Sequence, residues 1–239
     1  MNQKLNIDDF KLIIFDMDGV ILNIFDAIQQ SLKDTIEKYK INIDIQKYLG
    51  DIALLIEKLQ AIPIPKIILN TKELINIEFL KDRTVLQVLR IASFMYSQFK
   101  SYKENSNIYT GIDGIIKYLV QKGKNLAILS NNPRISVIES LEKFGLTKYF
   151  DLIYGANDVE NLKPSPDGLL KIINELGIPN KKVLFIGDMK SDIIAAKAAN
   201  IKVASIASGL NKKEELLREN PDFIFDDLKQ FATSIGFYF

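Results

Sequence analysis

Leu12-Ile13-Ile14-Phe15-Asp16-Met17-Asp18-Gly19 is a run of four apolar residues that stops abruptly on two carboxylates and a glycine. A short, wholly apolar run predicts a strand buried on both faces, as in parallel sheets. The pattern recurs at Leu126-Ala127-Ile128-Leu129, Val183-Leu184-Phe185-Ile186 and Val203-Ala204-Ser205-Ile206, with weaker runs from Phe150 to Tyr154 and at Phe223-Ile224-Phe225. Between them lie helical stretches: Ile112 to Gln121, closed by Gly123; Ser136 to Phe144, closed by Gly145; Asp167 to Leu176, closed by Gly177; and the Ala-rich Ser191 to Ala199. Strands alternating with helices predict an α/β fold, a Rossmann-like doubly wound parallel sheet.

The alternation breaks after the first strand. Phe25 to Tyr39 has apolar residues at Ile28, Leu32 and Ile36 and reads as helix; Ile52 to Leu59 reads likewise. Two prolines between Ala61 and Pro65 interrupt any helix, and a long apolar-faced stretch runs from Ile75 to Tyr102. The expected organisation is a core of residues 1–22 and 107–239 with an all-helical block, 23–106, inserted after the first strand. Long insertions in a loop are tolerated because closure entropy grows slowly with length. The linkers Val20 to Phe25 and Asn105 to Tyr109 are the expected hinges, and the apolar tail from Phe231 to Phe239 is expected to pack on the core.

Of the 239 residues, 31 are basic and 30 acidic, which argues against nucleic-acid or anionic-membrane partners. No segment reaches the roughly 18 apolar residues of a membrane span, and Lys4, Asp8 and Asp9 precede the first apolar run, unlike a signal peptide. A cytoplasmic protein is expected. The chain has no Cys and no His. That excludes thiolate nucleophiles, Ser-His-Asp triads and His-ligated zinc, and leaves acid–base work to carboxylates, Lys or Tyr.

Ligands in such sheets sit beyond the carboxyl ends of the strands. Four polar clusters follow strand ends: Asp16-Met17-Asp18-Gly19, Ser130-Asn131-Asn132, Lys163-Pro164-Ser165-Pro166 and Gly187-Asp188-Met189-Lys190-Ser191-Asp192. Brought together, they form a site with four carboxylates, a hydroxyl and an ammonium. Like charges at close range need a cation, and oxygen-only ligands suit Mg²⁺. Such a cation and Lys163 call for an anionic substrate, usually phosphate, with Ser130 and the backbone N–H groups after it as donors. Phosphoryl transfer follows, with an aspartyl-phosphate as the remaining covalent route. Each cluster alone also fits a blander role. Asp16 and Asp18 fit a capped turn, Ser130 to Asn132 the cap of a helix begun by Pro133, Lys163 a solvated loop, and Asp192 a helix-dipole partner. Arg83, Arg90 and Arg134 read as surface residues.

The ordered set Phe15-Asp16-Met17-Asp18-Gly19-Val20, Ile128-Leu129-Ser130-Asn131, Lys163-Pro164-Ser165-Pro166-Asp167 and Gly187-Asp188 with Asp192 resembles the four motifs of the haloacid dehalogenase superfamily, in its phosphatase branch. The resemblance covers Leu12 to Ile206, and Tyr109-Thr110-Gly111 resembles the family's return into the core. It implies a helical C1-type cap at the inserted block. It also implies Asp16 as nucleophile and Mg²⁺ ligand, and Asp18 as acid then base with its backbone carbonyl on the metal. Ser130 and the Asn131 backbone would hold the phosphoryl group, Lys163 would stabilise Asp16 and phosphate, Asp188 would ligate the metal, and Asp192 would ligate it or orient it through water. The implied activity is Mg²⁺-dependent phosphomonoester hydrolysis, in the group that includes phosphoglycolate phosphatases.

Asp18, Asp188 and Asp192 argue against dehalogenation. A phosphonatase would use a cap lysine, and neither Lys47 nor Lys58 sits in a motif that singles it out. A β-phosphoglucomutase-type mutase is the alternative enzyme, disfavoured by the missing His and by Leu49-Gly50-Asp51-Ile52-Ala53, which lacks an Arg. That loop, apolar and acidic, also disfavours a second anionic group on the substrate. Asn23-Ile24 stands where the family often has Asp then Ser or Thr. A non-catalytic phosphate-sensing or partner-binding protein is the alternative from another class.

Overall fold

A computed structural model describes residues 5–43, 80, 83–207 and 211–239. The expectations placed on Lys47, Leu49-Gly50-Asp51, the Ile52 to Leu59 helix, Lys58, the Ala61 to Pro65 break and the start of the Ile75 stretch lie outside those residues.

Six strands form one parallel sheet: β1 (Leu12–Phe15), β2 (Asn125–Leu129), β3 (Leu152–Tyr154), β4 (Val183–Gly187), β5 (Lys202–Ile206) and β6 (Phe223–Phe225). Their order is β3-β2-β1-β4-β5-β6, with every pair parallel. β1 lies between β2 and β4, Leu12 opposite both Asn125 and Val183, and all four of its residues are buried. A central strand covered on both faces has no solvent side, hence its unbroken apolar run. The two edge strands are three residues each, which limits exposed ladder groups. The chain builds outward from β1 through β2 and β3, then crosses back to β4 on the other side. Strand order therefore reverses at β1, and the crevice beyond the carboxyl ends of β1 and β4 is the topological switch point.

By contacts the chain divides into residues 1–23 with 108–239, and residues 24–107. Within the first unit, Leu22 bridges Ile108 and the Tyr109 N–H donates to the Ile21 carbonyl at 2.9 Å, so chain exit and return lie side by side. The second unit pairs α1 (Phe25–Tyr39) with α2 (Val85–Lys103). Ile28, Leu32, Val88, Ile91, Met95 and Phe99 are buried, and the Tyr102 hydroxyl donates to Asp34 Oδ2 at 2.6 Å. α2 begins at Val85 because Thr84 accepts from the Gln87 N–H, while Gln87 accepts from the Thr84 N–H.

The core helices are α3 (Ile112–Gln121), α4 (Arg134–Lys143), α5 (Asp167–Leu176), α6 (Lys190–Ala198), α7 (Lys213–Arg218) and α8 (Leu228–Ser234). α4 starts two residues before the expected Ser136, directly after Pro133, which cannot donate inside a helix. β3 is shorter than the expected Phe150 to Tyr154 run. A 3-10 turn occupies Thr147–Tyr149, and the Asp151 side chain accepts from the Leu126 N–H at 2.9 Å. The tail packs on α3: a Cβ at Gly114 would meet the Phe237 ring at 2.6 Å, and one at Gly111 the Phe239 ring at 2.3 Å. No described helix is long and apolar enough to cross a membrane.

Candidate active site

Asp16 follows β1 and Asp188 follows β4, two strands paired with Phe15 opposite Ile186, so the register alone brings the two carboxylates together. The Asp16 N–H continues the ladder to the Ile186 carbonyl at 2.8 Å. Asp192 joins them from the first turn of α6. Ligand oxygens of Asp16, Asp188 and Asp192 lie within 4.8 Å of one another, and all three residues are buried.

Lys163 enters this cluster from the loop before α5. Its Nζ is 2.7 Å from Asp16 Oδ1 and 2.7 Å from Asp192 Oδ1, with the side chain 2% exposed. The ammonium also lies over the Phe185 ring, with Nζ 5.6 Å from the centroid. Asn131 holds the lysine's backbone with both ends of its amide: Nδ2 donates to the Lys163 carbonyl at 3.1 Å, and Oδ1 accepts from the Lys163 N–H at 3.0 Å. The loop is fixed further by Asp167, which accepts from Ser165 Oγ at 2.7 Å and Asn161 Nδ2 at 2.8 Å. Those donors, Ser165 first, pull the Asp167 carboxyl below its ordinary pKa.

Asp192 does two jobs. Its Oδ2 accepts from the Asp188 and Met189 N–H groups at 3.1 and 2.9 Å, and its Oδ1 accepts from Lys163. The helix-terminus role and the site role coexist in one carboxylate. Two glycines make this packing feasible. Gly19, at φ +85°, has no room for a Cβ, which would fall 2.0 Å from Asp188 Oδ2; at Gly187 a Cβ would fall 2.4 Å from Asp192 Oδ2.

Asp18 stands apart from the carboxylate cluster and accepts from Asn132 Nδ2 at 2.9 Å. Ser130 is buried at the end of β2, where its Oγ accepts from the Asn132 N–H at 3.2 Å. Two of the expected clusters thus meet the first one side by side: Lys163 on Asp16, and the residues after β2 on Asp18. Arg134 is half exposed and 3.7 Å from Asp158, in keeping with a surface role.

Among the described residues, three carboxylates meet one ammonium in this buried cluster, so acids outnumber bases by two. One divalent cation neutralises that excess, and a donor set of oxygens alone suits a hard ion such as Mg²⁺. The absence of a Cβ at Gly19 and Gly187 leaves the Asp188 and Asp192 carboxylates room at the cluster. The residues present fit such an ion.

A family model described as haloacid dehalogenase-like hydrolase matches residues 13–206. The chain belongs to this family. A phosphoglycolate phosphatase of Haemophilus influenzae (strain 86-028NP) is 29% identical to it over 225 residues, which is 94% of this chain and 97% of that protein. A phosphoglycolate phosphatase of Escherichia coli (strain K12) is 32% identical over 134 residues, 56% of this chain and 53% of its own. Among solved structures, a haloacid dehalogenase-like family hydrolase of Streptococcus pneumoniae matches with a TM-score of 0.68 at 18% identity, over 95% of this chain and 99% of its own; this likeness is one of fold.

Three asparagines of this haloacid dehalogenase-like site carry side-chain contacts that the sequence reading did not assign: the clamp by Asn131, the Asn132 bond to Asp18, and Asn211. The buried Asn211 has its Nδ2 2.9 Å from Met189 Sδ and 3.5 Å from the Asp188 carbonyl. The adjacent pair Asn131-Asn132 at a strand end was the available signal. Asn211, at the start of the α7 region, offered none.

Proposed function

We propose that this chain is a Mg²⁺-dependent phosphomonoester hydrolase of the cytoplasm, acting on a small phosphorylated metabolite through an aspartyl-phosphate on Asp16. The observation that carries this reading is the Lys163 ammonium held 2.7 Å from both Asp16 and Asp192 beside Asp188, at the switch point of the sheet. Mg²⁺ held by Asp16, Asp188 and the Asp18 carbonyl, with Asp192 ligating or orienting it, would supply charge neutralisation for the transferring phosphoryl group.

Asp16 attacks phosphorus: its O–P bond forms as the ester P–O bond breaks, and Asp18 gives its proton to the departing oxygen. Ser130, the Asn131 backbone N–H and Lys163 hold the phosphoryl oxygens. In the second half, Asp18 takes a proton from water as the water O–P bond forms and the Asp16 O–P bond breaks. Phosphate and the alcohol are the products, and Asp18 ends protonated as it began. Residues 24–107 take the place of a substrate-selecting cap.

Two Haemophilus and Escherichia relatives bear the name phosphoglycolate phosphatase, so phosphoglycolate leads the panel of phosphorylated metabolites to assay. Hydrolysis of p-nitrophenyl phosphate with Mg²⁺ is expected in the wild type, with loss in Asp16→Asn and in EDTA. Full activity in that variant or in EDTA contradicts the proposal.

A further inference from the structure

Asn132 is 6% exposed, and its backbone is held from several sides. Its N–H donates to Ser130 Oγ at 3.2 Å, and its carbonyl accepts from the Ala156 N–H at 2.8 Å. Gly155 packs so closely there that a Cβ would lie 2.6 Å from the Asn132 carbonyl oxygen and 2.3 Å from the Arg134 nitrogen. Pro133, next in the chain, disfavours helical backbone at Asn132. Among the described residues, the one polar contact of its side chain is Nδ2 to Asp18 Oδ2 at 2.9 Å, across 114 residues of sequence. The orientation of the amide follows from chemistry, since the end that meets a carboxylate oxygen is the NH₂.

From this anchored amide we infer that Asn132 is the positioning residue of the proton-transfer carboxylate, fixing Asp18 so that one oxygen carries the proton to the leaving group. The inference rests on the reading of Asp18 as general acid given above. A carboxylate's terminal torsion is broad and two-fold, so a side chain without an anchor spreads over many orientations. A donor on Oδ2 selects one of them and so fixes where the carboxyl group presents its other oxygen. Proton transfer falls off steeply with misplacement, so the anchor acts on the step that breaks the ester bond.

The dependence on leaving group tests this. A p-nitrophenolate departs with little help from an acid, whereas an alkoxide needs the proton. The test compares kcat/KM, in wild type, Asn132→Leu and Asn132→Ala, for p-nitrophenyl phosphate and for an alkyl phosphate (phosphoglycolate or glycerol phosphate, whichever the wild type turns over faster). Two variants are used because Leu at a buried site can impair folding, which thermal melting reports. The expected result is an alkyl-to-aryl ratio lower by on the order of tenfold or more in the folded variant. Equal losses on both substrates, or none, overturn the inference. Asp18→Asn separates the two layers. If it lowers the ratio and Asn132→Leu does not, only the positioning role fails. If Asp18→Asn leaves the ratio unchanged, the general-acid reading fails too.

Discussion

Asp16 and Asp18 are two residues apart on one turn, yet the fold gives them opposite surroundings. Asp16 meets an ammonium at 2.7 Å and shares a buried cluster with two further carboxylates. Asp18 meets a neutral amide at 2.9 Å and lies outside that cluster. A nucleophile must stay ionised, and an adjacent cation favours the ionised form. A residue that gives and takes protons has to exist in both forms, and a neutral donor on one oxygen can hold either. On the proposed mechanism, a chain without histidine would separate nucleophile from acid–base catalyst by this contrast: the turn after β1 sets Asp16 beside Lys163 and Asp188, and Asp18 against Asn132 after β2.

Neutralising each carboxylate in turn separates the two residues most clearly. Asp16→Asn should cost on the order of 10⁴-fold or more in kcat on any leaving group. Asp18→Asn should cost about 10²–10⁴-fold on alkyl esters and less on p-nitrophenyl phosphate. Equal behaviour of the two variants across leaving groups would erase the distinction. Lys163→Met probes the ionic pole alone. Activity should fall about 10²–10³-fold. Stability without Mg²⁺ should fall by about 3–5 kcal/mol, because two buried carboxylates lose their partner. A denaturant titration showing an unchanged midpoint would contradict that account of the cluster.

Metal linkage gives a smaller readout. Saturating Mg²⁺ should stabilise the folded protein by about 2.7 kcal/mol at a hundredfold excess over Kd, seen as a higher Tm. Asp188→Asn should reduce the shift, and Asp18→Asn, whose carboxylate lies outside the cluster, should largely keep it. The smallest effect belongs to Tyr154, on the edge strand β3. Burial first, then its hydrogen bond to Glu175, push its pKa from 10.0 up to about 12. A raised pKa means that the folded state holds the proton more tightly, so this stabilisation is full below pH 10 and fades as pH rises through 12. Thermal melts from pH 9 upward should fall less steeply in Tyr154→Phe than in wild type.

Much of this arrangement was legible in the sequence because parallel strands advertise themselves. The runs at Leu12, Leu126, Val183 and Phe223 have no polar face to show, and polar residues after them must lie at one end of the sheet. Helix ends at Tyr39, Gln121 and Leu176 were equally readable from periodicity, reinforced by Gly123 and Gly177 past the last two. The asparagine contacts were not. An amide after a strand serves a cap, a turn or a neighbour equally well, and only the fold shows that Asn131 reaches 32 residues onward to Lys163 while Asn132 reaches back to Asp18. Asp192 illustrates the same limit: its spacing from Asp188 suited either a helix terminus or a site, and its two oxygens serve one each.

The proposed mechanism turns on a covalent phosphoryl group on Asp16. Rapid quenching during turnover of p-nitrophenyl phosphate with Mg²⁺, reduction with borohydride and peptide mass spectrometry would read it directly. Conversion of Asp16, and of no other carboxylate, to the reduced homoserine product is expected. Turnover with Asp16 unmodified, or with the label on another residue, would contradict it.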